Sequence, residues 1–327
     1  MLFLKKINNS NLSTMGINRC LVNSAQNMPF KKLVKAMLYA IEDVIGGDSK
    51  NNAKLKNKFY DKRCFLLGTG VSLDEIDPLF LNKEYVFACN LMFMHKDFSI
   101  FNANFYAIIQ SFFGFIYAKP HDIYLSIDES SLSEETLIFL RAFNKLYIEK
   151  SNFFKDKQKI YVKPGGSFKD ADKKSFDLTE RIDYFDGAFA FMVAAATYMG
   201  FKELYLCGFG YTYSPILEFH FYDEMDDLGV FQFPWEKPMF PLSLSKNERR
   251  RLSEEFAIKR GLEIYKNYYT DSFEVVRYTK KGDLSLKYQP LNDFAIENGV
   301  KIINIVPEGF DSHIFEKTNF SSIFSNS

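Results

Sequence analysis

Histidine and net charge are what this 327-residue chain has least of: four histidines, and 41 lysines and arginines offset by 41 aspartates and glutamates. The zero balance leaves no global basic field, so nucleic acid is not an expected partner. The four cysteines, Cys20, Cys64, Cys89 and Cys207, have no paired spacing. Three of them lie in apolar, strand-like runs and read as reduced core thiols of a cytoplasmic protein. A secretory signal is not expected, because the apolar run in MLFLKKINNS is too short and its basic pair follows that run. The charge-free stretch 99–118 is about long enough to span a bilayer, yet it carries Asn102, Asn104 and Gln110. Such residues are costly in lipid, and the stretch is expected to form a buried strand and helix.

A chain of this length makes one large domain or two small ones. Residues 1–57 read as an N-terminal extension. Within it Phe30, Leu33, Val34, Met37, Leu38, Ile41 and Ile45 recur at helical spacing, flanked by Lys31, Lys32 and Lys35. A basic amphipathic helix over 29–45 either makes a peripheral membrane contact or packs on the main domain or a second subunit of a homo-oligomer. GGDSKNNAKLKNK then reads as a polar linker. Residues 58–327 alternate short apolar runs with helical patterns. Strands are expected at 64–68, 86–90, 105–109, 159–163, 203–208 and 301–306, and helices at 72–81, 133–147, 187–200 and 246–268. Near-continuous apolar strands indicate helices on both faces of a parallel sheet. The expected fold class is therefore α/β, a doubly wound, mostly parallel Rossmann-like sheet. Residues 209–245, rich in aromatics and prolines, are expected to form an irregular lid.

In such a sheet ligands bind beyond the carboxyl ends of the strands, and the candidate site residues fall there. CFLLGTGVSLDEID runs from an apolar strand through Gly68, Thr69, Gly70 and Ser72 into a helical pattern. That is either a phosphate cradle or a plain tight turn with Ser72 as N-cap. It lacks the dinucleotide fingerprint, whose third glycine would stand at Leu73, and it lacks a P-loop lysine. Asn90 ends the second strand, which calls for a turn or a ligand contact. Asp186 and Gly187 open a helix of small residues, a second potential anion site. Tyr211 and Tyr213 follow the next strand as phosphate donors or rim aromatics. His220 stands in the lid, followed by Asp223, Glu224, Asp226 and Asp227, which read as a solvated acidic face or a cation site.

Three blocks, LLGTGVSLDEID with VFACN, AAATYMGFKELYLCGFGYTY, and NGVKIINIVPEG, together make up 49 of the 327 residues. They resemble the bacterial CMP-sialic-acid-dependent sialyltransferases of lipooligosaccharide synthesis. They also resemble a related Rossmann-like family that includes hydroxymethylpterin pyrophosphokinases and flagellin-glycosylation accessory proteins. The resemblance implies that Gly68, Thr69, Gly70, Ser72 and Asn90 hold a cytidine nucleotide, that Tyr211 and Tyr213 bind the phosphate, and that His220 is the base. Thr69 and Val71 stand where the sialyltransferases usually have Asn and Pro. The resemblance thus implies a metal-independent inverting glycosyltransferase with no cofactor, taking a nucleotide-sugar donor and a glycan acceptor, cytoplasmic or peripheral at the inner membrane. The alternatives are a Mg²⁺-dependent pterin-type diphosphokinase, with the acidic run 223–227 as its metal site, and a non-catalytic nucleotide-binding accessory protein.

Overall fold

A strand covered on both faces has no reason to alternate polar and apolar residues. Arg63–Leu67 (β1) obeys that rule, with Cys64, Phe65, Leu66 and Leu67 all fully buried. Tyr85–Cys89 (β2), Phe105–Ile108 (β3), Leu137–Arg141 (β4) and Glu203–Cys207 (β7) do the same. The computed structural model describes residues 37, 39–44, 47–70, 73, 76–109, 120–165, 175–182, 187–209, 263–266, 273–277, 288–305 and 314–324. Gln158–Pro164 (β5), Arg181–Ile182 (β6), Lys301–Ile305 (β10) and Glu316–Thr318 (β11) complete a nine-stranded sheet. Its order is β11-β10-β7-β1-β2-β3-β4-β5-β6, and every neighbouring pair is parallel. Glu263–Lys266 (β8) and Phe273–Arg277 (β9) pair antiparallel as a separate hairpin. The fold is the expected α/β, Rossmann-like one.

Both faces are covered. On one side Cys64, Leu66, Leu204 and Leu206 pack with Gly187–Tyr198 (α4) and Gln289–Glu297 (α5). Helix α4 is buried almost all round, and its Ala190, Ala194, Ala195 and Ala196 let it lie close over β1 and β3. On the other side Phe65, Leu67 and Tyr205 pack with short elements. These are Phe98–Phe101 (α1), Pro120–Asp128 (α2), Lys145–Ser151 (α3) and Phe320–Phe324 (α6).

Several expectations are corrected. The helix expected at 133–147 is strand β4 followed by the start of α3. Its apolar run Leu137–Leu140 satisfies helical and strand periodicity alike, and pairing with β3 and β5 decides for the strand. At 72–81 the described residues form 3-10 turns instead of one helix. Pro78 drives Asp77 to an extended ψ of 111°, and the Asp77 carboxylate caps the next turn by accepting from Leu79 N at 3.0 Å. The helix expected to reach 268 meets strand β8. The charge-free stretch 99–118 is broken at Asn102, which takes a left-handed φ of 47° between α1 and β3. No helix of the described residues is long and apolar enough to cross a membrane.

The stretch read as a linker is a nine-residue 3-10 helix, Gly47–Leu55, held on the sheet domain. Asn52 donates to Tyr161 O and Leu178 O, both at 2.9 Å, and Ser49 to Thr179 O at 2.9 Å. The helical turn at 39–44 is tied down by charge. Glu42 is fully buried, its Oε1 2.5 Å from Arg141 Nε and its Oε2 2.8 Å from Arg181 Nη1. Asp43 Oδ1 lies 2.9 Å from Arg181 Nη2 and 3.5 Å from Lys163 Nζ. These cations stand late in β4, late in β5 and in β6.

Asn304 interrupts the apolar run of β10. It is fully buried, and neither polar atom of its amide has a hydrogen-bond partner. An orphaned buried polar group costs roughly 1–3 kcal/mol, and valine fits a strand covered on both faces. Asn304→Val is expected to raise stability by about 1 kcal/mol in urea unfolding. A loss of stability would mean that the amide is satisfied in solution, by ordered water for instance.

Candidate functional site at the carboxyl edge of the sheet

Strand order fixes where the site lies. The chain starts at β1, runs outward through β2 to β6, crosses back through α4, and enters β7 on the other side of β1. The two halves diverge between β1 and β7, and such a switch point leaves a crevice at the carboxyl ends of the strands.

Two glycines shape it. The ladder of β1 and β7 continues past the last paired residues, as Gly68 N donates to Cys207 O at 2.7 Å and Gly70 N to Gly208 O at 2.8 Å. A Cβ on Gly68 would lie 2.6 Å from Gly208 O and 3.0 Å from the Phe209 ring. A Cβ on Gly208 would lie 2.7 Å from Gly68 O, and Gly208 also has a φ of +71°. So Gly68 is glycine because the backbones of two loops meet there, and ligand approach is not needed to explain it. Thr69 and Gly70 stand beyond this contact, half-buried at the mouth.

Asn90 comes directly after β2, the next strand over. The Cys89 thiol donates to Leu67 O at 3.7 Å, which ties the end of β2 to the end of β1. Asn90 has a left-handed φ of 50° and starts a 3-10 turn, Asn90–Met94. That turn is locked by Tyr106, whose hydroxyl donates to Asn90 O at 2.5 Å and accepts from Phe93 N at 3.2 Å. The asparagine side chain takes no part in this. Its Oδ1 is buried and has no partner. Backbone conformation explains why asparagine is tolerated here, while the unused acceptor is what a ligand donor would satisfy.

Gly187 opens α4 at the same edge, with φ +88° and no atom within 4 Å of an added Cβ. In the next turn Phe189 packs against Phe209 at 4.9 Å and Tyr288 at 4.9 Å between ring centroids. Phe209 thus links the start of α4 to the Gly68 loop. The free N–H groups of the first turn of α4 present partial positive charge at this edge.

The described part of the expected site is therefore brought together: Gly68, Thr69, Gly70, Asn90 and Gly187 all stand at the carboxyl edge of the sheet. Ser72, Asp186, Tyr211, Tyr213, His220, the acidic run 223–227 and the lid from 210 to 245 lie outside the described residues. Among the described residues no group of three or more His, Cys, Asp or Glu could hold a metal ion. The three described thiols are no nucleophiles: burial pushes Cys89 up to about 12 and holds Cys64 and Cys207 far above the usual range. Gly208 is not singled out by the sequence, although it directly succeeds a strand in CGFG, because its partner is 140 positions away.

No protein-family model matches the chain, and no curated protein does. Among solved structures it is similar to the sialyltransferase CstII from Campylobacter jejuni in complex with cytidine-5'-monophosphate. The two are 17% identical over 79% of this chain and 85% of that one, with a TM-score of 0.36. It is also similar to the monofunctional α-2,3-sialyltransferase Cst-I from Campylobacter jejuni, 15% identical over 78% and 79%, TM-score 0.38. A third is the Maf glycosyltransferase from Magnetospirillum magneticum, 11% identical over 86% of this chain and 39% of that one, TM-score 0.43.

Asn90 can be tested apart from the turn it sits in. Asn90→Gly keeps the left-handed backbone and removes the amide. It is expected to leave the melting temperature nearly unchanged and, if the site takes a cytidine nucleotide, to weaken CMP binding about tenfold, as for one lost hydrogen bond. Asn90→Ala should lose the same affinity and about 1 kcal/mol of stability besides, through backbone strain. Unchanged CMP affinity in Asn90→Gly would make Asn90 a turn residue only.

Proposed function

We propose that the chain is an inverting, metal-independent glycosyltransferase that uses a CMP-linked acidic sugar in surface glycan synthesis. The observation that carries the reading is the buried, unpartnered Oδ1 of Asn90 at the carboxyl end of β2, one strand from the switch point between β1 and β7. The first of the three sequence blocks supports it, since its described loop residues Gly68, Thr69 and Gly70 and the Asn90 of VFACN stand at the carboxyl ends of the neighbouring strands β1 and β2. In this reading Thr69, Gly70 and Asn90 hold the nucleotide, and Gly187 at the start of α4 faces its phosphate. The acceptor hydroxyl oxygen attacks the anomeric carbon from the side opposite the phosphate. The bond from that carbon to the phosphate oxygen breaks, and CMP departs with the bonding pair. The acceptor proton passes to His220. Tyr211, Tyr213 and backbone N–H groups stabilise the departing phosphate, and the lid keeps water from hydrolysing the donor.

Release of CMP from a CMP-linked acidic sugar, monitored with and without EDTA, tests the chemistry. Turnover is expected to be the same in both. Loss of activity in EDTA that Mg²⁺ restores would overturn the metal-independent mechanism and favour the acidic run 223–227 as a cation site.

A further inference from the structure

The fully buried amide of Asn304, with no hydrogen-bond partner on either polar atom, stands beneath the start of α5. Strand alternation puts its side chain on the face of Ile302, which packs with α4 and α5. The connection from α5 to β10 is short and tight. Gly299 N donates to Ile296 O at 2.8 Å and Val300 N to Ala295 O at 2.9 Å. Helix and strand therefore run antiparallel. The nine residues of α5 rise about 13 Å at roughly 1.5 Å each. The strand from Val300 to Asn304 also rises about 13 Å, at roughly 3.3 Å per residue. Asn304 is thus level with the first turn of α5, at the carboxyl edge of the sheet.

That first turn is suited to an anion. Tyr288 is the N-cap of α5, and no side chain caps the helix. The amides of Gln289 and Leu291 have no acceptor within the helix, and Pro290 has no N–H. No residue of the turn is acidic, and Asp293, one turn on, is held by Gln289 Nε2 at 2.7 Å. The start of α4 adjoins it, because Phe189 packs on Tyr288 at 4.9 Å between ring centroids. None of the first-turn residues of α4 is acidic either. Two helix starts therefore turn partial positive charge toward one place, beside a buried amide whose donor is unused. Tyr288, Gln289 and Pro290 are half-buried, so this place borders solvent.

We propose that the starts of α4 and α5 and the Asn304 amide form one phosphate site. That it takes the phosphate of the donor nucleotide rests on the reading of the crevice given above. Asn304 Nδ2 donates to a phosphate oxygen, and a water held by the phosphate donates to Oδ1. This accounts for an amide where valine would be more stable, a cost in stability of the kind that binding sites carry.

Thermal-shift titrations of the full chain with inorganic phosphate, CMP and cytidine, at constant ionic strength, test this. Phosphate and CMP are both expected to stabilise the wild-type chain. Asn304→Val should melt higher than wild type without ligand. It should nevertheless bind phosphate and CMP roughly tenfold or more weakly, as for one lost charge-assisted hydrogen bond, and bind cytidine unchanged. A merely structural residue would not combine a gain in stability with that selective loss. Asn304→Ala serves in the same way should the valine variant not fold. Three results would overturn the proposal: no stabilisation of the wild-type chain by phosphate or CMP, equal phosphate affinity in wild type and folded variant, or an equal loss of cytidine and CMP binding. Stabilisation by phosphate alone, lost in Asn304→Val, would uphold the site and overturn the nucleotide reading instead.

Discussion

Gly208→Ala is expected to destabilise the fold by roughly 3 kcal/mol or more, measured as the shift in the urea unfolding midpoint. Two costs add. The left-handed φ of +71° costs an alanine about 1–2 kcal/mol. The new Cβ would also stand 2.7 Å from Gly68 O and 3.1 Å from Leu73 Cβ. The first of these is backbone at the end of the central strand, so it cannot swing aside as a side chain would. Overpacking of this kind costs typically about 1–3 kcal/mol. Gly187→Ala provides the comparison. Its φ of +88° is as unfavourable, but an added Cβ meets nothing within 4 Å, so only the backbone strain remains, about 1–2 kcal/mol. Equal losses in the two variants would mean that the β1 and β7 loops do not meet as described. The Gly208 variant should also bind CMP more weakly, because separating the loops deforms the crevice itself.

His220→Ala is expected to lower turnover by roughly a hundredfold to ten-thousandfold while leaving donor affinity nearly unchanged. Glycosyl transfer to a hydroxyl needs a proton acceptor as the new bond forms. Imidazole, with an ordinary pKa of about 6.5, is suited to that at working pH. The role comes from the sequence, where His220 stands within the aromatic EFHFY of the expected lid. The thiols of Cys64, Cys89 and Cys207 are buried and held protonated. Near-normal kcat in the variant would make His220 structural and move the role to a carboxylate such as Asp223 or Glu224. A rise in donor KM with kcat unchanged would instead assign it to donor binding.

How much of this fold is legible in the sequence depends on how local each signal is. Strands β1, β2, β3, β5, β7 and β10 announce themselves as apolar runs between turns, because both their faces are covered. Strand β4 hides, since its apolar run satisfies two periodicities at once and only its neighbours in space decide between them. Strands β6 and β11 are two and three residues long and leave no pattern to read. The glycine loop after β1 is visible in the sequence, but the reason for Gly68 is not, because the carbonyl it accommodates belongs to Gly208. The amphipathic pattern at 29–45 is legible, whereas its orientation is not. Apolar spacing predicts which residues share a face. It cannot foresee that Arg141 and Arg181, from two distant strands, converge on Glu42 and leave Met37, Ile41 and Val44 exposed.

The central claim is that the crevice between β1 and β7 holds a cytidine monophosphate moiety, and a thermal-shift comparison of nucleotides tests it most directly. The full chain would be melted alone and with CMP, UMP, GMP, or ATP with Mg²⁺. A ligand at a hundredfold excess over its dissociation constant stabilises by about 2.7 kcal/mol. CMP is predicted to give the largest upward shift, without added metal, and Asn90→Gly to reduce it. A larger shift from ATP with Mg²⁺, or none from CMP, would contradict the claim.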